Sequence, residues 1–522
     1  MSNTGPGAHA VAAVSADDAV DVAPDGGNGG DGRRSARVGN AVVLAVAAVA
    51  TLGLLPWLDK PVYRDEGASL YSAHLGWSGL WQQSRVVDLV LLPYYAFLHL
   101  WIQVSDSIQW VRLPSLLAFG ATVFLVGRLG LRFAGPGCGV LSAIVVATNP
   151  LMVQAALYAR PYALSVLTAT AASIALLRWL GGGGVRWMWW FCVASVATVL
   201  LQVFAVLAPL SVLVVALGLR HGTVRREWRS LVAPLGVLLA GVLAVVGFGA
   251  TQRGQIAWIP PFHGRQLVKA VLGPTYGGSG TYSAVLVVVV VVALILCLRA
   301  RRLGTLRTAR TDLELLAVSV AWAVVPTLVL VAVSLVRPVY VDRYVTASVP
   351  GLAVAVALLV ARGFGATTVS WAARTRAVVG VAALVVVLAV IIPRGTMVAA
   401  ESVPENLQQA AQFLVVHVGP GGRAALPDHS ITTGVEYYLG GAHPSVATWP
   451  QLAVQPYIEG LDLAQGGQAL AHAPDDVWLV DDGSVAGTRA FVTVLTRAGY
   501  APAGTTRLPG VDIRHFHRSA GS

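Results

Sequence analysis

Charge is what this chain lacks. Asp, Glu, Lys and Arg make up 12% of its 522 residues against 56% hydrophobic, and mean hydropathy is +0.69. A soluble globular domain carries about 25% charged residues, so an ordinary water-exposed surface cannot be built from this composition. Acids are scarcer than bases, and the net charge of +11 would suit nucleic acid. Most basic residues, however, sit in short loops between apolar runs, and that location argues against a nucleic-acid partner. Cysteine is sparse too. Cys138, Cys192 and Cys297 all fall in apolar runs at spacings that suit no metal, so neither a disulfide framework nor a zinc site is indicated. No D-x-D pair and no Walker-type loop occurs, which argues against a nucleotide-linked sugar donor.

What is there is a series of charge-poor runs near the ~20 residues that a helix needs to cross hydrocarbon, where every backbone polar group has to be satisfied internally. They lie at 39–58, 113–127, 139–157, 163–180, 187–203, 204–220, 231–250, 283–298, 313–336, 343–361 and 375–393. The expected fold class is an all-α polytopic membrane domain of about 11 transmembrane helices with a small C-terminal α/β domain. The run 187–220 is split in two because Gln202 and Pro209 interrupt it. Residues 1–38, rich in Gly, Ala and Asp without apolar periodicity, read as a disordered cytoplasmic tail. The segment "AVAAVA" at 45–50 mimics a signal-peptidase site, but the long tail before it and the spans after it favour an uncleaved first helix.

Arginines set the expected orientation. If the apolar segment 87–104, "VDLVLLPYYAFLHLWIQV", lies at the surface rather than crossing, the basic loops from Arg33, Arg34 and Arg37 through Arg128 and Arg132, Arg178 and Arg186, the clusters at 220–229 and 299–310, and Arg362, Arg374 and Arg376 share the cytoplasmic side. That distribution obeys the positive-inside rule. The N-terminus is then cytoplasmic and the tail 394–522 extracytoplasmic. A second set of polar residues gathers on the outer face of the cytoplasmic (plasma) membrane: Arg64, Asp65, Glu66, Asp88, Arg160, Arg253, His263, Lys269, Arg337, Asp342 and Arg343. The outer loop 251–282 carries no acid and reads as a cover able to bind anions. After Glu66, the residues Leu70, His74, Trp77 and Trp81 recur at helical spacing, as on an amphipathic helix lying flat in the interface. His99 reads as a packed polar residue. Tyr94, Tyr95 and Tyr162 read as packing or interface aromatics first and sugar contacts second.

In the tail, "ENLQQAAQFLVVHV", "ITTGVEYYLG" and "TRAFVTVLTRAGY" read as helices. "RAALPD", "DDVWLVDD" and residues 511–517 read as strands, giving an α/β domain over 394–522. Asp481 and Asp482 read as solvated loop acids.

Four segments, taken in order, carry a family resemblance. "YRDEGASLYSA" follows the first span, and "DLVLLPYYAFLHLWIQVSDSIQWVRLPSLLAF" leads into an "RLPS" span. "NPLMVQAALYARPYAL" (149–164) contains an "ARPY" corner, and "VYVDRYVTASVPGLAV" (339–354) opens a late span with "RY". Together they resemble the polyprenyl-phosphate-sugar-dependent membrane glycosyltransferases of the C-type (GT-C) fold, and more narrowly the bacterial relatives of the dolichyl-phosphate-mannose protein mannosyltransferases (GT39). The resemblance covers roughly 40–393. It departs where many members have Gln-Glu before the corner: here Leu157 and Tyr158 precede Ala159 and Arg160.

The resemblance implies transfer of a sugar, mannose first with arabinofuranose or another lipid-carried sugar open, from a polyprenyl-phosphate donor to a hydroxyl. The acceptor is a glycolipid, a polysaccharide or a protein. Asp65 is the expected base, with Glu66 as its neighbour or as ligand of a divalent metal, Mg or Mn; no other cofactor is called for. A departing phosphate needs cations, since guanidinium meets phosphate oxygens bidentately. Arg343 is the first choice, then Arg160 and Lys269, with Asp88, Tyr162 and Tyr344 as further substrate contacts. Two rivals carry less: an ion-coupled transporter or lipid flippase, which would place ionisable groups within its spans, and a non-catalytic membrane scaffold.

Overall fold

In the computed structural model, residues 29–219, 221–256, 259, 261, 280–302, 310–365, 406–418, 423–426, 429–439, 447–448, 475–481 and 485–518 are described. The first helix, α1, runs Gly29–Leu54, so it begins inside the stretch expected to be unstructured. Three short helices follow, α2 (Arg64–His74), α3 (Trp77–Val86) and α4 (Leu92–Trp101), and then the long α5 (Ile108–Ala134). Next come α6 (Pro136–Thr148), α7 (Pro150–Ala156), α8 (Tyr162–Leu180), α9 (Val185–Leu201), α10 (Leu207–Leu219) and α11 (His221–Thr251). The membrane part ends, as described, with α12 (Gly280–Arg302), α13 (Arg310–Ser334) and α14 (Val349–Gly365).

Among the described residues seven helices are long and apolar enough to cross a membrane, or eight if the bent pair α6–α7 is one span. Ten of the eleven expected runs fall on these helices or on the shorter α9 and α10; the eleventh, 375–393, lies outside the described residues. The segment 87–104 folds as a short helix whose Tyr94, Tyr95 and Leu98 are buried, too short to cross. Gln202 breaks the 187–220 run as expected. Its backbone is extended and its side-chain oxygen accepts from the Ala205 N–H at 2.8 Å, capping the next turn. Pro209 does not interrupt, because it sits in the first turn of α10, where a missing N–H costs nothing.

The core of the membrane part is built where α1, α5, α6, α8 and α14 meet, around Phe119, Val123, Val126, Cys138 and Val356. Close approach there depends on a small residue. A Cβ on Gly127 would run into Val43 of α1 and stand 3.0 Å from Ala143 of α6, the small-residue packing typical of helices in lipid. The three cysteines are free, two of them buried.

The break between α6 and α7 follows from "TNP". Proline at 150 forbids helical backbone at Asn149, which turns extended, and the freed Asn149 carboxamide caps α7 by accepting from the Leu151 N–H at 3.0 Å. The two helices meet at 64°. A carbonyl of the interrupted helix, that of Val145, is satisfied from outside by the Tyr282 hydroxyl at 3.1 Å. The bend delivers the chain to the corner 157–161 that carries Arg160.

The expected single amphipathic helix after Glu66 is in fact two. The chain breaks at Gly76 between α2 and α3, and the two parts face differently: Leu70 is 1% exposed whereas Trp77 and Trp81 are 56% and 55% exposed. The stripe read from spacing therefore does not form one face. His99 packs as expected, its ring edge against Trp77 and its Nδ1 at 2.9 Å from the Ala73 carbonyl.

The C-terminal domain contains α15 (Leu407–His417), α16 (His429–Leu439) and α17 (Val485–Arg497) around a sheet of β1 (Arg423–Ala425), β2 (Ala447–Thr448), β3 (Asp476–Asp481), β4 (Tyr500–Leu508) and β5 (Val511–Arg518). Strand order is β2-β1-β3-β5-β4, parallel in β2-β1-β3 and antiparallel in β3-β5-β4. Alternation along β3 and β5 gives each face its own core. Val477, Leu479 and Phe516 meet α17, while Val480 and Ile513 meet α15 and α16. All three expected helices and three expected strands are present, and β2 and β4 are additions. β4 is the longer of the two. Its burial pattern shows why it escaped notice: after Tyr500 most of its residues are exposed, so no apolar alternation marks it. Asp481 is not a solvated loop acid. It is buried and paired with Arg514 at 2.6 Å; Asp482 lies outside the described residues.

Candidate active site

The pair Asp65–Glu66 sits in the first turn of α2, where helix N-termini favour acids. The two carboxylates could hardly differ more. Glu66 at the third helical position reaches back to accept the Tyr63 N–H at 3.0 Å, half of a capping box. The same carboxylate takes a bidentate pair from Arg112 at the head of α5, Nε to Oε1 at 2.8 Å and Nη2 to Oε2 at 2.7 Å, and accepts the Ala159 N–H at 2.8 Å. Both side chains are fully buried. Arg112 in turn donates to the carbonyls of Leu58, Lys60 and Pro61. Four segments of chain are thus tied at one buried ion pair. Burial works against the Glu66 charge, yet Arg112, Lys60 and the Ala159 amide together hold its carboxyl below the usual range.

Lys60 lies beside this pair with its Nζ 3.4 Å from the centre of the Tyr158 ring. Desolvation, opposed by Glu66 and reinforced by Arg112, lowers its pKa to about 7. Tyr158 belongs to the corner 157–161, whose Ala159 N–H donates to Glu66 of α2 at 2.8 Å.

Asp65 is different: it is 22% exposed, and its Oδ2 stands 3.2 Å from Nη2 of Arg343, itself 27% exposed. Arg160 crosses behind, its Nη1 donating to the Asp65 carbonyl and to the Ser69 hydroxyl at 3.1 Å each, and its Nε is buried with no hydrogen-bond acceptor. Arg160 is also within electrostatic reach of Asp88, Tyr95 and Tyr162. Asp88 accepts from the Tyr95 hydroxyl at 2.8 Å and has left-handed backbone at φ 59°, the one described non-glycine residue with positive φ. Tyr344 follows Arg343, and its ring rests on Phe204 at 5.1 Å.

Of the residues expected from sequence, the structure brings Asp65, Arg160, Tyr162, Arg343 and Tyr344 together, with Asp88 joined through Tyr95 and Arg160. Glu66 is adjacent but turned into the protein. Lys269 and His263 lie outside the described residues, as does most of the loop 251–282. Arg337 and Arg253 meet each other on the surface, Nη2 of Arg337 donating to the Arg253 carbonyl at 3.2 Å. Sequence reasoning passed over Arg112, Lys60 and Ser69. Arg112 could have been found: an arginine opening an apolar run is costly in lipid unless paired, and the acids between the first span and it, Asp59, Asp65, Glu66, Asp88 and Asp106, are few.

A divalent metal does not fit the expected place. Glu66 has both oxygens committed to Arg112 and two amides, and among the described residues no group of three His, Cys, Asp or Glu side chains could hold an ion.

No family model and no curated protein sequence matches this chain. Solved structures do. ArnT from Cupriavidus metallidurans in the apo state aligns with a TM-score of 0.54 at 12% identity, covering 91% of this chain and 97% of that one. The same protein bound to undecaprenyl phosphate aligns with a TM-score of 0.52 at 14% identity over the same shares. The fold is that of ArnT. This makes the architecture GT-C, a polytopic helical domain followed by a small α/β domain, over almost the whole of both chains.

Proposed function

We propose that the chain is a membrane glycosyltransferase that moves a sugar from a polyprenyl-phosphate donor to an acceptor hydroxyl, with Asp65 as the base. The observation that carries this reading is the ion pair of a partly exposed Asp65 with Arg343, backed by the partly buried Arg160, at the end of a helical bundle with the ArnT fold. A relative of that fold bound to undecaprenyl phosphate supports the donor class. The arginine-rich loops support a site on the outer face, with the N-terminus in the cytoplasm and the C-terminal domain outside.

The pair suggests how the site is switched on. Without donor, Asp65 is held by Arg343. An arriving phosphate offers Arg343 a bidentate partner and competes for it, and Asp65 is released to face the acceptor. Asp65 then takes the proton of the acceptor hydroxyl as its oxygen bonds to the sugar's anomeric carbon. The bond from that carbon to the phosphate oxygen breaks, and the electron pair leaves with the polyprenyl phosphate. Arg343 and Arg160 stabilise the charge that develops on the departing phosphate, the electrostatic contribution that is usually largest. Ser69 and the Asp65 carbonyl hold Arg160 in place. Mannose is the donor sugar favoured by the motifs, and a glycolipid, polysaccharide or protein is the acceptor.

The test is transfer itself. Purified protein is incubated with radiolabelled polyprenyl-phosphate-mannose and, in parallel, with other polyprenyl-phosphate sugars, over a membrane extract of acceptors. Label in a new product with one of these donors supports the reading. Failure with all of them, while labelled lipid crosses vesicles containing the protein, would replace it with transport.

A further inference from the structure

We propose that the C-terminal domain is a working part of the transferase, and that its helix α16 positions α2, and with it Asp65, through Gly434 and Tyr438. The proposal rests on the glycosyltransfer reading for what Asp65 does, and on independent geometry for the clamp.

One side of α2 is fixed by the buried Glu66–Arg112 pair. A neighbouring side is covered by α16. Gly67, the residue after Glu66, meets Gly434 so closely that a Cβ added at Gly67 would lie 2.7 Å from the Gly434 nitrogen and 2.8 Å from its Cα. Gly434 is itself backed by Leu407, the first residue of α15, which a Cβ at Gly434 would strike. Two helices of the C-terminal domain are therefore stacked on the acidic helix, with glycine at each successive contact. Tyr438 adds direction: its hydroxyl accepts the Val62 N–H at 2.6 Å, on the strand of chain that leads into α2. Tyr437 and Tyr438 complete the apolar cluster of Val62, Leu70 and Ala73.

This arrangement is more than attachment. A domain held only for convenience could dock anywhere on the membrane part, yet this one touches the chain on both flanks of Asp65, at Val62 and at Gly67. Of the phosphate-facing groups, Arg160 comes from the 157–161 corner but is anchored on α2, through the Asp65 carbonyl and Ser69, and Arg343 comes from the turn before α14. The C-terminal domain thus sets α2, with Asp65 and the anchor of Arg160, relative to Arg343. Displacing α16 shifts Asp65 relative to Arg343 and to the acceptor, and disturbs the Arg160 anchor on the same helix.

The experiment uses the full-length protein in lipid nanodiscs as wild type, Gly67→Ala and Tyr438→Phe. Amide hydrogen exchange of α2 and of β3 and β5 is measured, with kcat and donor KM for transfer from the radiolabelled polyprenyl-phosphate sugar. Carbon contacts need about 3.5–4.0 Å, so Gly67→Ala parts the helices by about 1 Å, a displacement that can lower kcat about 100-fold. Tyr438→Phe removes one hydrogen bond and speeds exchange at the start of α2 about fivefold, with kcat falling by a similar factor. In both variants the protection of β3 and β5 stays at the wild-type value. Wild-type α2 exchange and wild-type kcat in both variants would overturn the proposal, and so would loss of protection in β3 and β5, which would make the contact a folding requirement only. Faster α2 exchange in a protein whose wild type transfers no lipid-linked sugar would leave the clamp standing and overturn the reaction instead.

Discussion

Adjacent residues at the start of α2 enter two unlike regions. Glu66 belongs to a closed corner, where Arg112, Tyr63 and Ala159 occupy its acceptor positions and the side chain is fully buried. Asp65, one residue earlier, belongs to an open mouth, with a single ion pair to a partly exposed arginine. Helical geometry produces the split, since successive residues point about 100° apart. The lesson is that a saturated carboxylate holds structure, and an under-committed one beside surplus cations is available for chemistry.

The largest effect that would test this comparison is in the closed corner. Arg112→Leu leaves the buried Glu66 charge without its partner, which costs about 3–5 kcal/mol. Thermal unfolding in detergent, or loss of monodisperse protein, checks it. Glu66→Gln with Arg112→Met recovers part of the loss, because the coupling between the two is removed together. Additive losses would show that the pair is not a unit.

In the open mouth, Asp65→Asn lowers transfer by about 10²–10⁴-fold and leaves the melting temperature where it was. Arg343→Ala follows, raising donor KM about 10- to 100-fold through loss of charged hydrogen bonds to phosphate. Its melting temperature also changes little, because a partly exposed ion pair contributes little to stability. A large fall in stability from either variant would erase the distinction between the regions.

The smallest effect concerns Lys60. Its folded pKa of about 7 lies below the ordinary 10.5, so between those values the unfolded chain binds more protons than the folded one, and stability rises with pH through that window. Lys60→Met should flatten the rise in melting temperature between pH 7 and 10. An unchanged slope would mean that the lysine is not desolvated beside the closed corner.

Much of this was legible from residues. Apolar run length located the helices because lipid leaves the backbone no alternative, and Gln202 marked a break through local chemistry that needs no tertiary context, whereas the break at "TNP" was passed over inside the run 139–157. The gathering of Asp65, Arg160 and Arg343 could be anticipated because few charges are available and their loops share one side. What stayed hidden depended on direction. Nothing in "RDEG" distinguishes the carboxylate that turns inward from the one that turns out, and the stripe Leu70–Trp81 failed because Gly76 broke its period. Tyr438 and Gly434 were equally invisible, since their partners Val62 and Gly67 lie more than 360 residues away along the chain.

The central claim is the division of labour between Asp65 and Glu66. It is tested most directly by measuring, on the same purified preparations, the melting temperature and the rate of sugar transfer per folded molecule for Asp65→Asn and Glu66→Gln. The account predicts an Asp65→Asn protein that melts like the wild type and transfers at least about 100-fold more slowly, and a Glu66→Gln protein that is destabilised but whose folded fraction still transfers. A stable Glu66→Gln protein without activity, beside an active Asp65→Asn protein, would contradict it.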